Sequence, residues 1–379
     1  MHTSGPAYLD RTTPCQGVDV LRAYTSVEGG GFHDDQLSAL QPMISDYLAE
    51  NRIDDYVVWF YTPMALPLLG DLAPRAIVYD CMDELAAFKN APRQMRQRET
   101  ALLKSADLVV TGGPRLYEAK RDANANVLCL PSAVDAEHYA ARRAPSSWCR
   151  RSRAVATPRL GYFGVIDERL DLELVARIAD ADPEWQVVMV GPVVKIDEAA
   201  LPRRPNIHYL GQQPYALLPQ LVAGWNVCLM PFALNESTEF ISPTKTLEYM
   251  AAGKPVISTP IHDVRAMFGD IVAIAPSADL FIAACRQALR ESPVQKADRE
   301  QRMAERVRKY SWDAAAETIR RSLDEVLAAP RTSAAGFAAK AAGVSPARLT
   351  SPSVALASLG AGQRPDDDST AQPKVASAG

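Results

Sequence analysis

ISPTKTLEYMAAGKPVIST, residues 241–259, is the stretch from which the rest of the chain becomes readable. Ser242 is a favoured helix N-cap, and Pro243 suits the first helical position because its missing N–H would go unpaired there. Gly253 takes the left-handed conformation just past a helix end, and Val256-Ile257 restart as a buried strand. The caps leave two charges unexplained. A helix N-terminus presents unpaired N–H groups and partial positive charge, so it attracts anions. Lys245 in the first turn is a local conflict that an anionic ligand relieves. Glu248 lies six residues beyond Ser242, roughly 9 Å along a helix rising about 1.5 Å per residue. That is about the span from a diphosphate to the ribose of the same nucleotide, and a carboxylate accepts from both ribose hydroxyls. Phosphates at Ser242–Thr244 and ribose at Glu248 account for both charges. The competing reading is an i,i+3 surface pair worth a few tenths of a kcal/mol.

Working outward, strand-like and helix-like segments alternate. VDVLRAYTS, YVVWFYTP, AIVYDCMD, DLVVTGG and VLCLPSAVD read as strands in the first part; helix patterns lie between them, among them a long polar one over about 84–105. The first 17 residues look irregular where a doubly wound domain opens with a glycine-bearing strand–turn unit, so the expectation is either an unusual first domain or a chain that starts late, without that unit. A second series follows: RLGYFGVI, DLELVARIADA, WQVVMVGP, NIHYLG, YALLPQLVAG, VCLMPF, the opening helix, PVIST and IVAIAP, closed by two helices near 278–291 and 312–328. Alternation of this kind means α/β architecture, with parallel sheets covered by helices.

With 379 residues, 47% apolar and 23% charged, the chain has room for two domains with sizeable cores. A net charge of −4 gives no reason to expect a nucleic-acid partner. The six cysteines, Cys15, Cys81, Cys129, Cys149, Cys228 and Cys285, form no CxxC pair and read as buried thiols of a reducing compartment. No secretory signal opens the chain, and its longest apolar run is broken by Gln220, Asn226 and prolines. The expected location is cytoplasmic, with peripheral contact at the inner face of the membrane left open. No GxGxxG, GK[ST] or metal-ligand spacing occurs.

The segment SPTKTLEYMAAGKPVI closely resembles the nucleotide-sugar site of retaining family 4 glycosyltransferases with the GT-B fold. GYFGVIDERLDLELV, VVMVGP, NIHYLG and VCLMPF follow in the order of that family's donor domain. SAVDAEHY resembles its NGVD segment, and SWDAAAETIRRSLDEVL resembles its terminal helix. The resemblance covers most of residues 50–328. It implies two Rossmann-like domains facing a cleft: an acceptor-side domain over 1–140, a linker over 141–157, a nucleotide-sugar domain over 158–311, a crossover helix over 312–330 and a disordered tail over 331–379.

Carried over residue by residue, Glu248 matches the ribose-binding glutamate of the family's E-x7-E motif. Ile241, Ser242, Pro243 and Thr244 match the loop that approaches the phosphates and donor sugar. After the first glycine loop, at Gly164, the family places an Arg and a Lys on the diphosphate. Here Val165 stands at the Arg position and Arg169 falls one residue short of the Lys, so Arg169 and Lys245 are expected to share that role; the alternative for Arg169 is a solvated loop with local carboxylate pairing within IDERLD. The first glutamate of the motif falls on Phe240, leaving Asn235, Glu236 or Glu239 as candidates beside the sugar.

Asp83, after the strand YDC, either handles an acceptor hydroxyl or caps the next helix. Tyr215 lies either beside the base or in the core. The implied activity is metal-independent transfer of a sugar from a nucleotide-diphosphate sugar to a glycan, lipid-linked or small-molecule acceptor, with retention. The alternatives are a catalytically impaired GT-B binding or scaffold protein, and a GT-B sugar-nucleotide epimerase, whose motifs are absent.

Overall fold

The computed structural model describes residues 1–28, 31–70, 72–88, 91–140 and 155–328. Most of the expected linker and all of the expected tail lie outside these residues. The chain divides into two compact units.

The first unit comprises Met1–Thr111, Ala119–Leu128 and the chain from Arg321 onward. It opens with an antiparallel hairpin of β1 (Tyr8–Cys15) and β2 (Val18–Tyr24). The irregular start expected from the sequence is therefore corrected: cross-strand bonds organise it. Tyr8 stacks on Tyr24 at 4.7 Å, Thr13 donates to Asp19, and Gly17 turns the chain at φ +80°.

The chain continues through α1 (Leu37–Glu50), β3 (Val57–Phe60), β4 (Ala76–Cys81), α2 (Met95–Ser105), β5 (Leu108–Thr111), α3 (Pro114–Lys120), most of which belongs to the second unit, and β6 (Val127–Cys129). Its sheet runs β3-β4-β5-β6, with β3, β4 and β5 mutually parallel. All six residues of β4 are buried, as its unbroken apolar run AIVY requires of a strand covered on both faces. The long helix expected over 84–105 is only the second half of that span. A short 3-10 turn occupies Leu85–Ala87, and Pro92 disfavours helical backbone at the residue before it. At the end of β4, Asp80 is 2% exposed and accepts a hydrogen bond from Trp59 Nε1 (3.2 Å); its Oδ1 has no partner among the described residues. Burial raises its pKa from 3.8 to about 6.

The second unit comprises Gly112–Glu118 and Cys129–Arg320. After α4 (Ala136–Ala140) come β7 (Arg159–Phe163), α5 (Leu172–Asp180), β8 (Gln186–Val190), β9 (Ile207–Tyr209), α6 (Leu218–Ala223), β10 (Val227–Met230), α7 (Lys245–Ala251), β11 (Val256–Ser258), α8 (His262–Phe268), β12 (Ala273–Ile274), α9 (Ala278–Leu289), α10 (Pro293–Val307) and α11 (Trp312–Ala328). The sheet order is β12-β11-β10-β7-β8-β9, parallel throughout. Strand order reverses between β7 and β10, which opens a crevice beyond their carboxyl ends.

Two expectations change here. Three helices close the unit rather than two. α10 went unseen because it buries only Met303 and Val307 among charged neighbours, although its Ser292–Gln295 capping box is legible. The opening helix starts at Lys245, not at Ser242-Pro243: Thr244 is its N-cap and makes no side-chain cap bond. The Ser242 side chain packs instead against Gly113, where an added Cβ would lie 2.9 Å from Ser242 Oγ. At the other end the sequence reading holds, with Gly253 at φ +64°.

Candidate active site

The crevice is built from three strand ends. Gly164 follows β7, Gly191 follows β8, and Phe232 lies two residues past β10. Gly164 N donates to Val190 O (2.9 Å), and Gly191 N donates to Gly211 O (2.9 Å). Both glycines have positive φ, +138° and +147°, and a Cβ on Gly191 would stand 1.8 Å from Gly164 O. Only glycine lets the two loops approach this closely.

Helix α7 is pinned beside them. Tyr249, fully buried, accepts a hydrogen bond from Phe163 N (3.0 Å) at the end of β7. That bond fixes the rotation of the helix, so that Glu248, the residue before it, and Lys245, one turn earlier, hold set positions. Lys245 is partly buried. Its Nζ lies 5.6 Å from the centre of the Tyr162 ring and 5.2 Å from that of Phe232, and its Cε lies 3.0 Å from where a Cβ of Gly164 would stand. Burial, with Arg169 adding to it, lowers its pKa from 10.5 to about 8, against the opposing pull of Glu248 and Asp167. Two aromatic faces offset part of this cost.

The surface-pair reading is not what the side chains do: Lys245 and Glu248 form no ion pair among the described residues. Glu248 is partly buried, and its Oε1 accepts from Tyr139 Oη (2.8 Å) on α4. Its pKa is raised by burial, with the Tyr139 hydrogen bond and the charges of Lys245 and His138 pulling the other way. Tyr215 is 47% exposed, so it is not a core tyrosine; its ring stacks on His138 at 4.4 Å, nearly parallel.

Arg169 shows the local carboxylate pairing of the alternative reading. Its guanidinium grips Asp167, with Nε 3.0 Å from both carboxylate oxygens and Nη2 2.7 Å from Oδ2; Asp167 is 3% exposed. The 165–170 loop is tied in turn to the segment after β10: Asn235 Nδ2 donates to Glu168 O (3.1 Å), and Ala233 N donates to Arg169 O (2.8 Å). Asn235 also caps the short turn Glu236–Thr238, and Glu236 points to solvent. Glu239 pairs with Arg115 (2.8 Å), whose guanidinium lies over the Phe240 ring at 5.6 Å. Ile241 packs on the core of the unit, while Thr244 is exposed.

Thus Gly164, Lys245, Glu248 and Tyr215 fall on one connected set of contacts, and Arg169 acts on Lys245 through its charge. Asp83 belongs to the first unit, partly buried in the turn after β4. Sequence reasoning missed Tyr139, His138 and Gly191, and did not single out Asp167 among the carboxylates near Arg169. The glycine ending VVMVG and the D-x-R spacing were available signals, but nothing in SAVDAEHY reveals that its tyrosine reaches Glu248. Among the described residues, no group of three or more His, Cys, Asp or Glu could hold a metal ion, and no helix is long and apolar enough to cross a membrane.

Residues 157–291 match the family described as Glycosyl transferases group 1. A Bacillus subtilis (strain 168) protein, TuaH, assigned to teichuronic acid biosynthesis as a glycosyltransferase, is 25% identical over 274 residues, 66% of this chain and 68% of its own. Among solved structures, sucrose-phosphate synthase from Thermosynechococcus elongatus superposes with a TM-score of 0.62 at 17% identity, covering 81% of this chain and 84% of that one. Anabaena Alr3699/HepE, solved in complex with UDP, gives 0.62 at 15% identity, covering 76% and 84%. The two-unit fold is GT-B.

Proposed function

We propose that this chain, a GT-B glycosyltransferase, takes its sugar from a nucleoside-diphosphate sugar held at the β7/β10 crevice and passes it, with retention, to a carbohydrate or lipid-linked acceptor. One observation carries the reading. A lysine and a glutamate one turn apart on α7, neither satisfied by the other, lie at the switch point of a parallel sheet, where such sheets bind ligands. The Anabaena structure, solved in complex with UDP, supports a nucleotide ligand for a chain of this fold.

In this reading the diphosphate lies against Lys245, the backbone of Gly164 and the N–H groups opening α7, with Arg169 adding charge from its Asp167 mount. The ribose hydroxyls donate to Glu248, and the base lies along Tyr215. As the acceptor oxygen bonds to the anomeric carbon, the bond from that carbon to the phosphate oxygen breaks. The diphosphate leaves with the electron pair, and the acceptor proton passes to it. Charge grows on the phosphate in the transition state, so fixed positive groups there stabilise it more than the bound substrate. Asp83 is assigned to orient the acceptor hydroxyl. No metal is required by this scheme, and a lipid-linked acceptor places the enzyme at the inner face of the membrane.

The test is Glu248→Ala, measured by calorimetry with UDP and with pyrophosphate. Loss of a charge-assisted hydrogen bond should weaken UDP by roughly ten- to a hundredfold, leaving pyrophosphate unchanged. Equal losses for both ligands would remove the ribose assignment.

A further inference from the structure

Glu248 is the only carboxylate in the proposed nucleotide site that the fold engages from another helix, and that engagement resolves how its two oxygens are used. Tyr139 is 4% exposed, and its ring is held edge-on to His138 (5.2 Å) and stacked on Phe163 (6.4 Å), so its hydroxyl has little freedom. The hydroxyl donates to Glu248 Oε1 at 2.8 Å. Oε2 is the oxygen left for a ligand. We propose that Tyr139 is the positioning residue of the ribose site: it holds one oxygen of Glu248, presents the other to the ribose, and keeps the carboxylate in its charged, accepting form.

This inference rests on the ribose reading of Glu248 and goes beyond it. A partly buried carboxylate is driven toward its neutral form, which would donate rather than accept. Around Glu248 stand Tyr139 and His138 on α4, Tyr215 on the turn before α6, and Lys245 and Tyr249 on its own helix. α10 brings Arg299 and Glu300 only to the far, Gly253 end of α7. Of these groups, the Tyr139 hydrogen bond is the strongest influence favouring the anion.

UDP binding, followed by calorimetry from pH 4.5 to 8 with pyrophosphate as the control probe, tests this. Tyr139→Phe keeps the ring and should weaken UDP roughly three- to tenfold at pH 8, the range of one net hydrogen bond. It should also move the acid limb of UDP binding to higher pH, leave pyrophosphate unaffected, and add nothing in the Glu248→Ala background. Site-specific 3-fluorotyrosine at position 139, nearly isosteric and a stronger donor, should move the limb to lower pH and guards against a folding defect. If Glu248→Ala weakens UDP while neither change at Tyr139 moves the limb, the positioning role is wrong and the ribose reading stands. If Glu248→Ala leaves UDP untouched, the ribose reading itself falls.

Discussion

If the proposed diphosphate binds beside Lys245, the depressed pKa of that lysine should make binding a proton-linked event. In the free protein burial brings it from 10.5 to about 8. A diphosphate beside it favours the charged form and should return it toward its ordinary value. With complete return, binding takes up about half a proton at pH 8 and about 0.9 at pH 9. Phosphate groups with a second pKa of about 6 are fully ionised in that window, so the nucleotide contributes none of the uptake. Calorimetry of UDP binding in buffers of different ionisation enthalpy reads the proton count directly. The linkage also fixes a sign for stability. A lysine with a depressed folded pKa costs nothing above about 10.5 and its full amount below about 8, at most roughly 3 kcal/mol at about 1.36 kcal/mol per unit. Lys245→Met should therefore raise the melting temperature of the ligand-free protein at pH 7 while abolishing the proton uptake and weakening UDP. Zero uptake between pH 8 and 9 in the native protein, or the same uptake in Lys245→Met, would refute the reasoning.

Gly191→Ala places a Cβ 1.8 Å from Gly164 O at a φ of +147°, so it should destabilise the second unit by more than about 3 kcal/mol, read as a lower denaturant midpoint; an unchanged midpoint would contradict the close approach of the two loops. Asp80, whose pKa burial raises to about 6, contributes stability below about pH 4 that is lost as pH rises through 6. Asp80→Asn should thus raise the melting temperature at pH 7.5, by at most about 3 kcal/mol of stability, and change it little at pH 4; the reverse order would show that the buried carboxylate is satisfied.

Much of the second unit is legible in its residues because parallel strands covered on both faces write themselves as short apolar runs: LGYF, VVMV and VCLM appear as β7, β8 and β10. Helix α7 also stood out in the sequence, since Lys245 in its first turn opposes the macrodipole. What escaped was set by partners distant in sequence. Ser242 looks like a cap but packs against Gly113, and α10 carries too few apolar residues to announce itself. Of the exposed hairpin, β2 was legible in VDVLRAY, whereas β1, largely exposed and carrying a Thr-Thr-Pro run, gave periodicity no signal.

The sequence by itself determined the alternating architecture, the glycines at the strand ends and the charges on α7, because each follows from local sterics, periodicity or a local electrostatic conflict. Only the tertiary structure decided that Glu248 answers to Tyr139, 109 residues earlier in the chain, and that Lys245 lies partly buried beside the Tyr162 and Phe232 rings. Those outcomes depend on which side chains packing brings within about 3 Å of one another. Hydrogen-bond and charge energies change steeply over that distance, while neighbours along the chain say nothing about it.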